Sequence, residues 1–143
     1  MKDVVDLVLE KINNDGFSRL TGMKIIEASP GYAKATMSLS NIHGNLFGSV
    51  HGGAIFSLAD QTAAAAMNSL GKPAVAIHMS INYLAPPQMG EELIAEARAL
   101  HKSRRIGVSE VELKNSKGEL LARCDQTVYF LDKTFDEMFG DKD

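Results

Sequence analysis

One cysteine, Cys124, is all that the chain carries, so no internal disulfide can form and no four-cysteine zinc site can be built. That usage fits a reducing, cytoplasmic setting. Long apolar runs are missing too, since no stretch nears the ~20 residues that span a bilayer. Asp3, Asp6, Glu10 and Lys11 interrupt the N-terminal segment where a secretory signal would be apolar. No membrane partner is expected. Excess positive charge is absent as well: 15 Lys and Arg against 18 Asp and Glu leave a net −3. This argues against gripping nucleic acid by bulk electrostatics. It leaves room for a local basic patch.

Several chemical signatures are also lacking. His43, His51, His78 and His101 do not fall at metal-ligand spacing such as H-E-x-x-H. The Gly-rich residues 44–53 lack the Gly-Lys-Ser/Thr of a phosphate-binding loop. Ser57 lacks the G-x-S-x-G setting of a serine hydrolase. Cys124 alternates with Ala122 on an apolar strand face, which reads as a buried thiol and not a nucleophile. No metal and no cofactor are expected. No repeat, linker or low-complexity stretch divides the 143 residues. One domain over 1–143 is expected: an N-terminal helix (1–16), a core (17–131) and a C-terminal tail with a short helical turn (132–143).

What is present is periodic. Val5, Val8, Leu9 and Ile12 fall at helical spacing and predict an amphipathic helix over 2–14. Asn13-Asn14-Asp15-Gly16 ends it. Met23, Ile25 and Glu27 alternate with Lys24, Ile26 and Ala28, and Pro30-Gly31 marks a turn. Ala33, Ala35, Met37 and Leu39 then read as a half-buried strand. Residues 40–50 form a loop. Residues 52–70 predict a long helix that is apolar nearly all round, hence buried. Gly71 closes it and Pro73 prevents its continuation. Strands follow at 75–84, 92–101, 106–113 and 120–130. The first places Val75, Ile77, Met79, Ile81 and Tyr83 on one face, and the second places Leu93, Ala95, Ala97 and Ala99 on one. Asn115-Ser116-Lys117-Gly118 joins the last pair as a hairpin. The class is α+β, with a curved antiparallel sheet wrapping one buried helix and a further copy covering what remains exposed.

The chemistry concentrates where the loop enters the long helix. Gly52 and Gly53 open that helix, so a ligand can approach the free N–H groups of its first turn. The dipole adds partial positive charge there, suited to a carbonyl oxygen that becomes an oxyanion. Asp60 lies on the most apolar helix of the chain. An aspartate in that setting is either a hydrogen-bonded structural group or a general base or nucleophile. Gly53 and Asp60 are seven residues apart, about 10 Å along one helix. Reacting groups must come within about 3–3.5 Å of one another. Two copies with antiparallel helices would bring Asp60 of one to Gly53 of the other, and the run Ala63-Ala64-Ala65-Ala66 would permit close approach.

The string Asn45-x-x-Gly48-x-x-His51-Gly52-Gly53-x-x-x-x-Leu58-x-Asp60 resembles the signature of the PaaI-type hotdog thioesterases. Residues 74–86, with Tyr83-Leu84 and Pro86, resemble that family's following strand. Ser103-Arg104-Arg105 resembles its basic turn. The likeness runs from Phe17 to Phe130. It implies the hotdog fold, a dimer or dimer of dimers, and metal-free hydrolysis of acyl-CoA. Asp60 would activate water or attack the thioester carbon, and the Gly53 N–H would bind the carbonyl oxygen. Asn45 would position water or thioester, and His51 would shape the loop. Family members often carry Ser or Thr at the position aligned with Ala76. His78, read as lying on the same strand face, is a candidate substitute. Lys102, Arg104 and Arg105 would hold the CoA phosphates. Phe47, Met67 and Tyr83, with His78, are candidate pocket walls. The competing reading is a non-catalytic hotdog module that binds acyl-CoA or a related lipid.

Overall fold

The computed structural model describes residues 2–142. Helix α1 (Val4–Asn13) leads into a short α2 (Gly16–Thr21), then β1 (Met23–Ser29) and β2 (Tyr32–Ser38). A single 3-10 turn (Asn41–His43) precedes the long α3 (Gly52–Asn68). Strands β3 (Ala74–Tyr83), β4 (Glu92–Lys102), β5 (Ile106–Lys114) and β6 (Leu120–Phe130) follow, and α4 (Phe135–Phe139) ends the chain. The six strands form one antiparallel sheet in the order β1-β2-β4-β5-β6-β3. Helix α3 packs against all six, which only a curved sheet permits. No described helix is long and apolar enough to cross a membrane.

The inward face of the sheet is built from small and branched residues. Ala33, Ala35, Leu93, Ala95, Ala97, Val111, Leu113, Ala122 and Cys124 are all fully buried. Alanines on facing strands let the helix approach closely. Leu58, Ala59, Ala63, Ala65 and Ala66 of α3 fill the space at 0% exposure. The alanine run therefore packs against the chain's own sheet and is not held open for a partner helix. Only Ala64 of that run is half-buried on the outer side. The helix is likewise not buried all round: Phe56, Ser57, Asp60, Gln61 and Ala64 form a half-exposed strip. It ends at Asn68, two residues earlier than its apolar pattern runs. Asn68 stops it by turning its side chain to the next strand, with Nδ2 donating to the Ala64 carbonyl at 2.8 Å and Oδ1 accepting from the Ala74 N–H at 2.8 Å.

Four register shifts interrupt the sheet, one of them at Leu121 of β6, and the other three change the alternation along their strands. One at Ile26 breaks the Met23-Ile25-Glu27 row, so Ala28 comes opposite buried Ala33 and Glu27 turns outward opposite Lys34. One at Leu100 interrupts β4. The third, at Ile77, matters most. Ala76 pairs with inward Val128, whereas His78 pairs with outward Thr127, and Met79, Ile81 and Tyr83 pair with inward Gln126, Cys124 and Ala122. Val75 and Ile77 thus do not share a face with Met79, and His78 does not share one with Ala76. A bulge inserts one residue and reverses the alternation beyond it, which a strict period of two cannot anticipate.

The segment Asn13-Asn14-Asp15-Gly16 ends α1 as expected and also begins α2, a helix its spacing does not announce. Asp15 caps it, Oδ1 accepting from the Ser18 N–H at 2.7 Å. The buried side of α1 centres on Leu7 and Val8, with Val4 and Ile12 beside them, so Val5 lies off the predicted stripe. In the C-terminal segment Thr134 caps α4 and Phe135 is buried, docking that segment onto the core.

Candidate active site

Residues 43–53 fold back on themselves to deliver α3. Gly44 bridges Val50, the Asn45 N–H donates to the Ser49 carbonyl at 2.8 Å, and the His51 N–H donates to the His43 carbonyl at 2.7 Å. His43 is the buried anchor of this loop. Its Nδ1 accepts from the Ser40 N–H at 3.0 Å and its Nε2 meets the Thr21 carbonyl at 2.7 Å, which requires the proton on Nε2. Both ring nitrogens are thereby used in holding the fold.

Asn45 Oδ1 accepts from the N–H groups of Phe47 (2.9 Å) and Ser49 (3.1 Å). Two backbone donors fix the oxygen's side of the amide, and they leave Nδ2 as the group available for outside work.

His51 is the N-cap of α3, its Nδ1 accepting from the Gly53 N–H at 2.8 Å. The Gly53 donor is therefore not free, as the glycine opening suggested: the residue before the glycines has a side chain able to cap them. A side chain at either glycine would crowd a neighbouring ring. A Cβ on Gly53 would lie 2.9 Å from His51 Nδ1, and one on Gly52 would lie 3.3 Å from the Tyr83 ring. The Tyr83 hydroxyl donates to the Gly52 carbonyl at 3.0 Å. Two shallow cavities flank this helix end. One, of about 220 Å³, is lined by Phe17, Ile42, His51, Gly53 and Ser57 among others. The other, of about 310 Å³, lies between Gly52, Ile55, Tyr83 and the Leu84–Pro87 segment.

Asp60 is the one charged residue of α3. It is half-buried, and burial raises its pKa, with a hydrogen bond from Gln126 opposing that in part. Gln126 Nε2 donates to Asp60 Oδ1 at 3.1 Å. No cation compensates it among the described residues. Asp60 borders neither cavity at the Gly53 end. The chain brings Asn45, His51, Gly53 and Tyr83 into one neighbourhood and holds Asp60 about two turns away.

The remaining candidates sit elsewhere. Phe47 is 82% exposed at the loop tip. Met67 is fully buried and packs with Val128 and Phe130, so it walls no pocket. His78 points outward because of the Ile77 bulge. Lys102, Arg104 and Arg105 lie around the β4–β5 turn, near the C-terminal end of α3: Met67 and Phe130 crowd Gly107 there. Lys102 Nζ stands 6.0 Å from the Phe130 ring centre. Arg105 donates to the Tyr129 hydroxyl at 2.8 Å and pairs with Asp132 at 3.1 Å, while Arg104 is exposed. Gln126 escaped the sequence reading. Its signal was there, one polar residue in the inward row Ala122, Cys124, Gln126, Val128, Phe130. Among the described residues no group of three or more His, Cys, Asp or Glu is placed to hold a metal ion.

Residues 47–122 match the thioesterase superfamily. The chain is 37% identical over 109 residues to acyl-coenzyme A thioesterase PaaI of Escherichia coli, covering 76% of this chain and 78% of that one. It is 30% identical over 111 residues to human acyl-coenzyme A thioesterase 13, covering 75% and 79%. The structure of the E. coli PaaI protein superimposes with a TM-score of 0.85 over 92% of this chain and 98% of that one, at 30% identity. A hypothetical thioesterase of Streptococcus pneumoniae solved with coenzyme A superimposes with a TM-score of 0.80 at 26% identity, covering 86% of this chain and 96% of that one. With its curved antiparallel sheet around a central helix, this chain belongs to the thioesterase superfamily as a PaaI-type enzyme of the hotdog fold.

Proposed function

We propose that the chain hydrolyses acyl-CoA thioesters to the free acid and CoA, in the cytoplasm, at sites shared between two copies of itself. Asp60 is the observation that carries this reading. A carboxylate on an otherwise uncharged helix, raised in pKa by burial and unpaired with any cation, costs stability without an evident structural return. The same elevation makes it a better base near neutral pH. Asp60 deprotonates the water that attacks the thioester carbon, or attacks that carbon itself to form an anhydride that water then cleaves; on either route the C–S bond breaks and CoA leaves as its thiolate. The carbonyl oxygen takes the Gly53 N–H in exchange for the His51 ring nitrogen. There the helix dipole and the N–H stabilise the developing negative charge. Asn45 Nδ2 orients water or thioester.

The shared site follows from two features. Gly53 and Asp60 are about 10 Å apart within one chain. The strand beside Asp60, β3, is an edge strand with Val75 50% and Ile77 58% exposed. A bare apolar edge of this length invites pairing. A second copy related by a two-fold axis extends the sheet, covers these residues and sets the helices antiparallel. The basic turn lies at the end of α3 opposite its own Gly53, which is the end an antiparallel partner's Gly53 approaches. Lys102, Arg104 and Arg105 therefore serve the partner's substrate, holding CoA phosphates.

The test is Asp60→Asn, assayed with a panel of acyl-CoAs and a thiol reagent. General-base assistance is worth about 10²–10⁴ in rate. Turnover should fall by that much, with KM changed far less. Near-normal turnover on the best substrate would overturn the catalytic reading.

A further inference from the structure

Asp60, Ala64 and Asn68 follow one another at i, i+4 and i+8 along α3, so they stand in one row on the helix. The row runs for about 12 Å. Its far part borders a cavity of about 400 Å³, larger than either cavity at the Gly53 end. Gln61, Ala64 and Asn68 line it from α3, and Val75 lines it from the edge strand. The rest of the lining comes from the terminal helices, through Ile12 of α1 and Phe135, Met138 and Phe139 of α4. That volume falls within the range of small-molecule sites. The polar groups around it are engaged. Gln61 donates to Asp15 at 2.8 Å, and Asn68 uses both ends of its amide on backbone groups. Lys11 borders the cavity from an exposed position on α1. The surface left for a ligand is therefore mainly apolar.

Helix α4 is firmly placed at this cavity. The Phe135 N–H donates to the Gly71 carbonyl at 2.8 Å, and the Leu131 N–H donates to the Pro73 carbonyl at 2.9 Å. The Phe135 side chain is buried, and its ring centre lies 4.7 Å from that of Phe139. On the other side α4 lies against α1. Met138 and Phe139 nevertheless stay 45% and 38% exposed. An anchored helix thus keeps two large apolar side chains beside an opening, which marks a binding surface more than a finished core.

We propose that this cavity is the acyl subsite, and that Met138 and Phe139 of α4 make it select an apolar acyl group, straight-chain or aryl. This rests on the reading of Asp60 as the carboxylate that acts on the thioester. With the thioester carbon at Asp60, an acyl group laid along the row meets Ala64 after one turn and reaches α4 by the second. Alanine at the first of these steps leaves the path open. The basic turn lies on the sheet side of the same helix end, beside Met67, so nucleotide and acyl group take different sides of α3. Helices α1 and α4 fall outside residues 47–122, the part matched to the superfamily. The shared core supplies the chemistry, and the terminal helices supply this chain's own choice of substrate. Acetyl and charged acyl groups gain little from such walls.

The experiment has a binding arm and a turnover arm. Non-hydrolysable S-alkyl-CoA thioethers, from ethyl through butyl to octyl and with a phenylethyl member, are titrated into the parent protein by calorimetry. Each methylene moved from water onto an apolar wall is worth about fourfold in affinity. Affinity should therefore climb from ethyl to octyl, and the octyl and phenylethyl members tell a straight chain from an aryl group. The second arm reads kcat/KM for octanoyl-CoA relative to acetyl-CoA. The double variant Met138→Ser, Phe139→Ser makes the far wall polar while Phe135 still anchors α4, and should lower that ratio about tenfold. Ala64→Leu blocks the row one turn beyond Asp60 and should lower it too, independently of how α4 docks. A merely structural role would lower both substrates alike and leave the ratio unmoved. Affinity that stays flat from ethyl to octyl overturns the subsite, even with Asp60→Asn inactive. Rising affinity with an unmoved ratio in the α4 variant overturns the part given to Met138 and Phe139. Near-normal turnover in Asp60→Asn removes the reading beneath both.

Discussion

The two sides of α3 obey different rules. On the side against the sheet, Leu58, Ala59, Thr62, Ala63, Ala65 and Ala66 are fully buried. The one polar group among them, the Thr62 hydroxyl, is satisfied by the Leu58 carbonyl at 2.6 Å. On the other side two adjacent polar residues diverge. Gln61 is tied down by the Ile12 carbonyl, Asp15 Oδ2 and the Ser18 hydroxyl, so it locks α1 and α2 to the helix. Asp60, one residue earlier, has a single side-chain hydrogen bond and no counter-ion among the described residues. A structural polar residue gathers partners. Asp60 is left short of them, as the proposed catalytic role requires.

The largest stability effect belongs to the sheet side. Leu58→Ala opens a cavity in the centre of the core and should cost about 2–5 kcal/mol, read as a lower denaturant midpoint. Specific activity per folded molecule should hold. If stability barely moves, the sheet side of α3 is not the core described above, and the contrast between its two faces fails.

The edge strand offers the next test. Ile77→Lys places a charge on the exposed bulge of β3 without touching the core. Dimer dissociation should strengthen by tenfold or more, about 1.4 kcal/mol, measured by sedimentation across a concentration series. Activity should fall as the monomer fraction rises. Full activity in a proven monomer would sink the shared site.

Asp60 and its isostere sharpen the contrast through pH. Burial, the leading cause, raises the Asp60 pKa in the folded chain above its ordinary 3.8. A raised carboxyl pKa means the folded state favours the protonated form. Its stabilising contribution is present below 3.8 and is lost as pH climbs through the folded value. Asp60→Asn has no such proton to lose. The parent should therefore lose ground against Asp60→Asn as pH rises from about 4 toward neutral, then run level. Denaturant midpoints of both proteins over that range measure it. A parent that gains on the variant with rising pH would mean that a hidden partner stabilises the carboxylate.

Much of this was legible in the sequence. Apolar periodicity located α1, α3 and the strands, and Asn115 with Gly118 marked the β5–β6 hairpin. Asn115 Oδ1 accepts from Lys117 and Glu119, and Gly118 sits at φ 82°, a conformation glycine suits. The motif around His51-Gly52-Gly53 and Asp60 pointed to the helix entrance and its lone carboxylate. What stayed hidden depended on register. A bulge is one residue of slippage settled by packing on both sides, so Ile77 could reverse His78 without a local sign. Gln126 meets Asp60 only once β6 is aligned against α3. The occupied Gly53 N–H needed the χ angles of His51.

The smallest effect separates two neighbouring arginines. Arg105 is already engaged: its guanidinium reaches the Tyr129 hydroxyl and Asp132, and its Cζ lies 5.7 Å from the Tyr129 ring centre. Asp132 is 70% exposed, so that ion pair is largely screened by water. Arg105→Ala should cost stability, at most about 1 kcal/mol, because it loosens the link between β6 and the C-terminal segment. Arg104 is exposed and holds no such contacts among the described residues, so its whole charge is available to a phosphate, whereas Arg105 shares its own with Asp132. One charge-assisted contact in a water-exposed setting is worth about 1–1.5 kcal/mol, or roughly tenfold. Arg104→Ala should therefore raise KM for acyl-CoA by up to about tenfold while leaving turnover and melting unchanged, since the contact is remote from the bond that breaks. A short acyl thioester without the nucleotide is the control. Its KM should not respond to Arg104→Ala. Equal losses on both substrates would place the basic turn in the structure of the site and not on the nucleotide. An unchanged KM for acyl-CoA would remove Arg104 from the phosphate contacts altogether.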